Sequence, residues 1–297
     1  MRVFVTGASG WIGSAVVDEL LAAGHEVVGL ARSESSAHSL EAKGAVVQRG
    51  DLDDLDSLRA GASSVDAVVH LANKHDFANP AVSNLAERNA VQTLGDALVA
   101  SNRAFVVAAG VAGLVTGRAS TENDANPSHG LESPRGGSEN LALEFADRGV
   151  RTVSVRFAPT VHGRGDHGFV STLVGVARAT GVSAYVGDGA NRWPAVHRSD
   201  AARLVRLGLE SATAGSVLHA VGEEGVQTRT IAEAIGGGLG LPVVSVSAEE
   251  AIAHFGWIGA FFGMDLPSSS ALTQQRLGWT PTGPTLADDL ASGAYFA

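Results

Sequence analysis

The sequence predicts an α/β chain: a doubly wound parallel sheet followed by a smaller C-terminal α/β lobe. Three observations predict it. Short β-branched, apolar runs alternate with helical stretches through the first half of the chain. Those runs, such as Asp66-Ala67-Val68-Val69-His70-Leu71-Ala72, are apolar almost throughout, as parallel strands covered on both faces require. The first run breaks into a turn of three evenly spaced glycines and then into an amphipathic stretch.

Composition narrows the function classes. At 297 residues the chain can bury a sizeable core as one large domain or two small ones. A net charge of -10 argues against a nucleic-acid partner. With no cysteine there is no disulfide framework, thiolate metal site or thiol nucleophile. No apolar run is long enough to span a bilayer, and the start reads as a strand rather than a leader. The expectation is a soluble, cytoplasmic protein with no membrane partner. Residues 1–165 are expected to form a nucleotide-binding domain and 166–297 mainly a substrate lobe, the chain free to cross between them.

The first strand, Arg2-Val3-Phe4-Val5-Thr6, runs into Gly7-Ala8-Ser9-Gly10-Trp11-Ile12-Gly13. Strand, glycine turn and helix are the setting a dinucleotide fingerprint needs. Gly7 allows the tight turn, Gly10 lets the backbone approach a pyrophosphate, and Gly13 lets helix pack on strand. The phosphates would lie on the helix N-terminus, with Ser9, Trp11 and Ile12 supplying the rest of the turn. The alternative is a structural turn that binds nothing.

The second strand, His25 to Leu30, ends in Ala31-Arg32-Ser33, and Glu34 arrives late. An NAD site usually has an acidic residue here for the ribose 2′-OH. Arg32 and Ser33 suit a 2′-phosphate instead, which favours NADP(H). The competing reading is a solvent-facing arginine. After a third strand, Ala45 to Gln48, Asp51 is placed to reach the adenine amino group and Leu52 to cover the ring. Asp51 also reads as a helix cap, a role for which Asp53 and Asp54 compete.

The fourth strand, Asp66 to Ala72, leads into Asn73-Lys74-His75-Asp76, and a long helix is expected over Asn79 to Ser101. The fifth strand, Phe105 to Ala108, leads to Ala109-Gly110-Val111. Ligands of such sheets bind at the carboxyl ends of the strands, so Leu71, Ala72, Asn73 and Ala109 belong beside the cofactor. Gly113 to Pro134 reads as a loop, Gly137 to Arg148 as a helix and Thr152 to Arg156 as a sixth strand. A loop, Thr160 to Asp166, follows. Beyond it come short strands at Ser183–Val186 and Trp193–His197 and a helix from Asp200 to Ser211.

These residues together resemble the extended or atypical short-chain dehydrogenases/reductases of the NAD-dependent epimerase/dehydratase type. Thr6-Gly7-x-x-Gly10-x-x-Gly13 has that family's glycine spacing. Gly50-Asp51-Leu52, His70-Leu71-Ala72, Arg156 to Gly165, Trp193 to Asp200 and Leu277-Gly278-Trp279-Thr280-Pro281 resemble its later motifs, with His162 where tyrosine is usual. The resemblance implies a Rossmann fold and a nicotinamide cofactor. Two helices, the long one and that from Gly137, would form a homodimer interface as in many relatives. The family's Tyr-x-x-x-Lys pair is missing. Aligning Glu139 with the family's helix glutamate puts Leu131 at the tyrosine position and Arg135 at the lysine position. Arg135 would still hold the nicotinamide ribose but donates no proton readily. Ala108-Ala109-Gly110 replaces the usual serine or threonine.

Hydride transfer needs cofactor and substrate held in geometry, and a general acid adds about 100- to 10,000-fold. The expected activity is therefore NADPH-dependent reduction of a carbonyl or imine in a small organic substrate, with a non-standard proton donor. An iminium arrives already protonated. The catalytic candidates are His75, His129, Arg135 and His162, each histidine reading equally as a surface or structural imidazole. His162, Asp166 and His167 lack converging spacing, so no metal is expected. The alternative function is a non-catalytic NADP(H)-binding redox sensor.

Overall fold

The computed structural model describes residues 1–76 and 79–296. Its strands are β1 (Arg2–Thr6), β2 (Glu26–Ala31), β3 (Val46–Arg49), β4 (Ala67–His70), β5 (Ala104–Gly110), β6 (Arg151–Phe157), β7 (Thr160–His162), β8 (Ser183–Val186), β9 (Arg192–His197), β10 (Ser216–Ala220), β11 (Glu223–Gln227) and β12 (Val243–Val246). The helices of the first half are α1 (Trp11–Ala22), α2 (Glu34–Ala42), α3 (Leu55–Ser63), α4 (Pro80–Leu98) and α5 (Ser138–Glu144).

The chain divides into two compact units. The first comprises Met1–Ala109, Ala125–Arg156 and Ala202–Leu218, and the second Gly110–Asp124, Phe157–Ala201 and His219–Ala297. The chain passes from one to the other five times.

The first unit is built on a seven-stranded sheet in the order β10-β6-β5-β4-β1-β2-β3. β1 pairs in parallel with β2 and with β4, β2 with β3, and β4 with β5. The chain runs outward from β1 to β3, then returns to β4 on the other side of β1. The reversal of direction therefore falls between β1 and β4, with Thr6 in register with His70. In a doubly wound sheet that is the place for a ligand. Beneath it, Phe4, Val68, Phe105, Leu94, Leu98 and Phe145 are buried in one core. Small residues set the helix spacing. A Cβ on Gly61 of α3 would lie 2.4 Å from the Phe4 ring, and one on Gly95 of α4 would lie 2.4 Å from Phe145.

Two element boundaries differ from expectation. β4 stops at His70, so Leu71 and Ala72, expected as the end of the strand, are loop. The helix expected from Gly137 starts at Ser138, ends at Glu144 and tightens into a 3₁₀ turn over Phe145–Arg148. Ahead of it, Arg135, Gly136 and Gly137 all take left-handed φ values, of 55°, 62° and 61°. Pro134 and the two glycines favour this turn over an earlier helix start. Leu131 and Arg135 thus stand outside the helix.

The second unit holds a three-stranded sheet, β11-β9-β7, and the pair β12-β8. Its core gathers Trp193, Ile231, Phe255, Phe262 and Leu286. No helix among the described residues is long and apolar enough to cross a membrane.

Candidate active site

The glycine turn closes on the end of β4. Gly7 has a φ of +66°, and a Cβ there would meet Ala72 N at 2.7 Å. Gly10 N–H donates to Gly7 O at 2.9 Å. A Cβ on Gly13 would lie 2.0 Å from Gly7 O, so only glycine lets α1 sit this close to the turn. Gly10 is the N-cap of α1, and no side chain caps the helix. Ser9 and Gly10 are exposed, while Trp11 and Ile12 are half-buried. The start of α1 is thus an uncovered ring of backbone beside Leu71 and Ala72, the form an anion site takes.

The end of β2 carries positive charge. Arg32 is exposed, and its side chain has no hydrogen bond or ion pair among the described residues. Glu34 is committed elsewhere: Arg49 donates to its carboxylate at 2.6 Å. That bond and the Arg49 charge hold the Glu34 carboxyl below its ordinary range. Ser33 caps α2 by accepting from Ser36 N–H at 3.2 Å. Asp51 Oδ1 accepts from the N–H groups of Asp53 and Asp54 at 2.8 and 3.0 Å. It is thus a turn cap, and Asp54 caps α3. Leu52 is buried in the core beside Leu58 and Val28. Lys74 pairs with Asp53 at 2.7 Å, and Ala109 is buried.

A polar cluster lies where β4 ends and α4 passes. Thr6 Oγ1 accepts from Ala72 N–H at 3.3 Å and is bonded to His70 Nδ1 at 2.7 Å. Glu87 of α4 is buried, with 1% of its side chain exposed. Its Oε1 accepts from Arg135 Nη2 at 2.5 Å, and its Oε2 accepts from Asn73 Nδ2 at 3.0 Å. Ser138 Oγ approaches Oε1 at 3.5 Å, and His70 Nε2 lies 3.9 Å from it. Burial alone would raise the Glu87 carboxyl. The Arg135 charge, His70 and the bonds from Arg135 and Asn73 outweigh it and hold the group below its ordinary value. Burial lowers His70 below its ordinary value, against the pull of the Glu87 charge. Asn73 Oδ1 accepts from His75 N–H at 2.8 Å, and His75 has a left-handed φ of 50°. Desolvation first, and the Arg135 charge second, lower the His75 imidazole below its ordinary value.

The structure therefore brings together His75, Arg135 and Asn73 of the expected residues, with Gly7 and Ala72 against each other. His129 is exposed in the loop before α5, with Asn140 Nδ2 3.4 Å from its Nε2. His162 belongs to the second unit. There it is fully buried on β7, bonded through Nδ1 to Asp289 at 2.6 Å, which suits a structural imidazole. Glu87 is the residue that sequence reasoning missed. The signal was present: an acidic residue in phase with Ser83, Ala86, Ala90, Val91 and Leu94 on the buried stripe of α4.

The comparisons agree with this architecture. The model of the NAD dependent epimerase/dehydratase family matches residues 3–221. An uncharacterized protein of Schizosaccharomyces pombe is 49% identical over 297 residues, covering 100% of both chains. The 4-hydroxy-2-methyl-3-oxo-4-farnesyl-3,4-dihydroquinoline-1-oxide ketoreductase of Stigmatella aurantiaca is 30% identical over 190 residues, which are 60% of this chain and 55% of that protein. Among solved structures, the dTDP-glucose 4,6-dehydratase DesIV of Streptomyces venezuelae, with NAD bound, superposes with a TM-score of 0.77 at 24% identity, covering 99% of this chain and 96% of that one. With the family model spanning both the glycine turn and the later strands, the chain belongs to the NAD dependent epimerase/dehydratase family.

Proposed function

We propose that the protein is an NADP(H)-dependent oxidoreductase that reduces a carbonyl or imine of a small organic substrate. The observation that carries this reading is Arg32, exposed just past β2 and without a side-chain partner among the described residues, where an acidic residue would otherwise meet the ribose. The residues fit the cofactor. The Gly7–Gly13 turn packs backbone on backbone too closely for a Cβ at Gly7 or Gly13, which draws the chain tight around the start of α1, and that uncapped start suits a pyrophosphate. Arg32, with the Ser33 hydroxyl beside it, suits a 2′-phosphate.

A bound nicotinamide supplies the hydride. Arg135 cannot pass a proton, but its fixed positive charge steadies negative charge growing on a substrate oxygen. His75 is the proton donor of this reading, a role that needs its protonated form. Its depressed proton affinity then makes carbonyl reduction accelerate as pH falls below about 6.5, the ordinary histidine value. An iminium substrate needs no such proton and shows no such limb. The ketoreductase relative supports carbonyl chemistry. The second unit is the substrate lobe of this reading.

The test is consumption of NADPH and of NADH by the purified protein over a panel of bulky ketones and cyclic imines. Substrate-dependent loss of NADPH, faster than that of NADH, is expected. Binding of NADPH with no turnover on any compound would sink the reductase reading and leave the redox sensor. That second reading draws on Leu131 and Arg135, which leave the tyrosine and lysine positions without their usual groups.

A further inference from the structure

We propose that Glu87 is a positioning residue of this site: through Asn73 it fixes His75, and through Arg135 it fixes the charge that His75 faces. The inference rests on the reading of His75 as proton donor and names what holds it in place.

The argument begins with cost. A carboxylate this deeply buried is expensive, and an apolar residue of similar volume often serves stability as well or better. Glu87 nonetheless stands in the buried stripe of α4, and both its oxygens are used. Oε2 holds Asn73, whose own oxygen holds the His75 N–H. One side-chain amide thus links the buried carboxylate to the backbone of the candidate donor. Oε1 holds Arg135.

Backbone strain points the same way. The described residues include four non-glycine residues at positive φ: His75, Ala100, Asn102 and Arg135. Two of the four, His75 and Arg135, are tied to Glu87, one through Asn73 and one directly. Such conformations persist where their surroundings over-determine them, and they cluster at functional sites. The carboxylate with its two partners ties both residues, alongside Arg88, which donates to Gly136 O at 2.9 Å, and Asn84, which donates to Ser133 O at 3.1 Å.

The charges can be enumerated. Arg135 faces Glu87 from the turn before α5, His70 from β4, Asn73 from the loop after β4 and Ser138 from α5. His75 feels Arg135 and Glu87. Arg135 disfavours a proton on His75, and Glu87 favours one. Removing either charge therefore moves His75 in opposite directions.

The experiment is a histidine titration by NMR on the cofactor-free protein and on Glu87→Gln and Arg135→Gln. We expect Glu87→Gln to lower the His75 midpoint by about half a pH unit and Arg135→Gln to raise it by about as much. The pH limb of carbonyl reduction should move with it. Opposed signs are what a merely structural role would not produce. An unchanged midpoint, or shifts of one sign, overturns the proposal. Should Glu87→Gln fail to fold, Asn73→Ala decides: hydrogen exchange at the His75 amide should quicken about tenfold, and unchanged exchange overturns the proposal. The NMR readouts do not depend on turnover. A protein that fails to reduce any substrate and one in which Glu87 does not act on His75 are thus told apart.

Discussion

Arg32 has no side-chain partner among the described residues, and Glu34, two residues on, is tied to Arg49 at 2.6 Å. A charge-assisted bond from arginine to a phosphate contributes about 1.5–3 kcal/mol. Arg32→Ala should therefore weaken NADPH binding by about 10- to 100-fold and leave NADH binding within about twofold, as read by calorimetry. Equal losses for both cofactors would detach Arg32 from the 2′-phosphate. The buried ionisable groups predict a second outcome. His70 and Glu87 both have folded-state proton affinities below their ordinary values. Groups of this kind stabilise the fold fully above their unfolded pKa and less as pH falls through it. Thermal stability should thus be flat near neutral pH, decline below about 6.5 as His70 resists protonation, and fall again below about 4.5 as Glu87 does. A melting temperature that rises on acidification would contradict this assignment. At this scale the glycines and Arg32 are legible because their signal is local. Glu87 escaped because its partner Arg135 lies 48 residues away, and only the fold brings the two together.

The glycine turn is the element on which the cofactor reading depends. Gly13→Ala would place a methyl 2.0 Å from Gly7 O, which the backbone cannot yield without moving α1. The expected result is loss of NADPH binding by calorimetry, with a stability cost of about 2 kcal/mol or more by denaturant unfolding. Gly136→Ala tests the other end of the site. It adds a side chain at a φ of +62° and 2.5 Å from Asn84 O, and should cost about 1–3 kcal/mol. It would also displace Arg135, so carbonyl reduction should fall even where the variant folds. Strands and long helices are legible because their period is strong: the expected Asn79–Ser101 helix appears as Pro80–Leu98. The start of α5 is less so. Gly136 and Gly137 mark a break, but three left-handed residues in a row are decided by the packing of that turn against Asn84 and Gly130. Nor does apolar content reveal that β4 ends at His70, since Leu71 and Ala72 remain apolar in the loop.

For the molecule as a whole, a doubly wound parallel sheet followed from alternating strands and helices, while the strand order and the reversal between β1 and β4 came only with the fold. The division into units did not, because residues 110–124 and 202–218 each join the unit that their sequence neighbours leave. Such exchanges are set by tertiary pairing, which local patterns do not encode. The proposed function joins a glycine turn suited to a dinucleotide with a proposed proton-transfer site built without tyrosine. The most direct test of that union is isotopic. The protein is incubated with NADPH deuterated at the transferable position of the nicotinamide and with a substrate that supports consumption, and the product is examined by mass spectrometry. A deuterium on the former carbonyl or imine carbon is the predicted result. Product without the label, or no product from any ketone or imine, would contradict it.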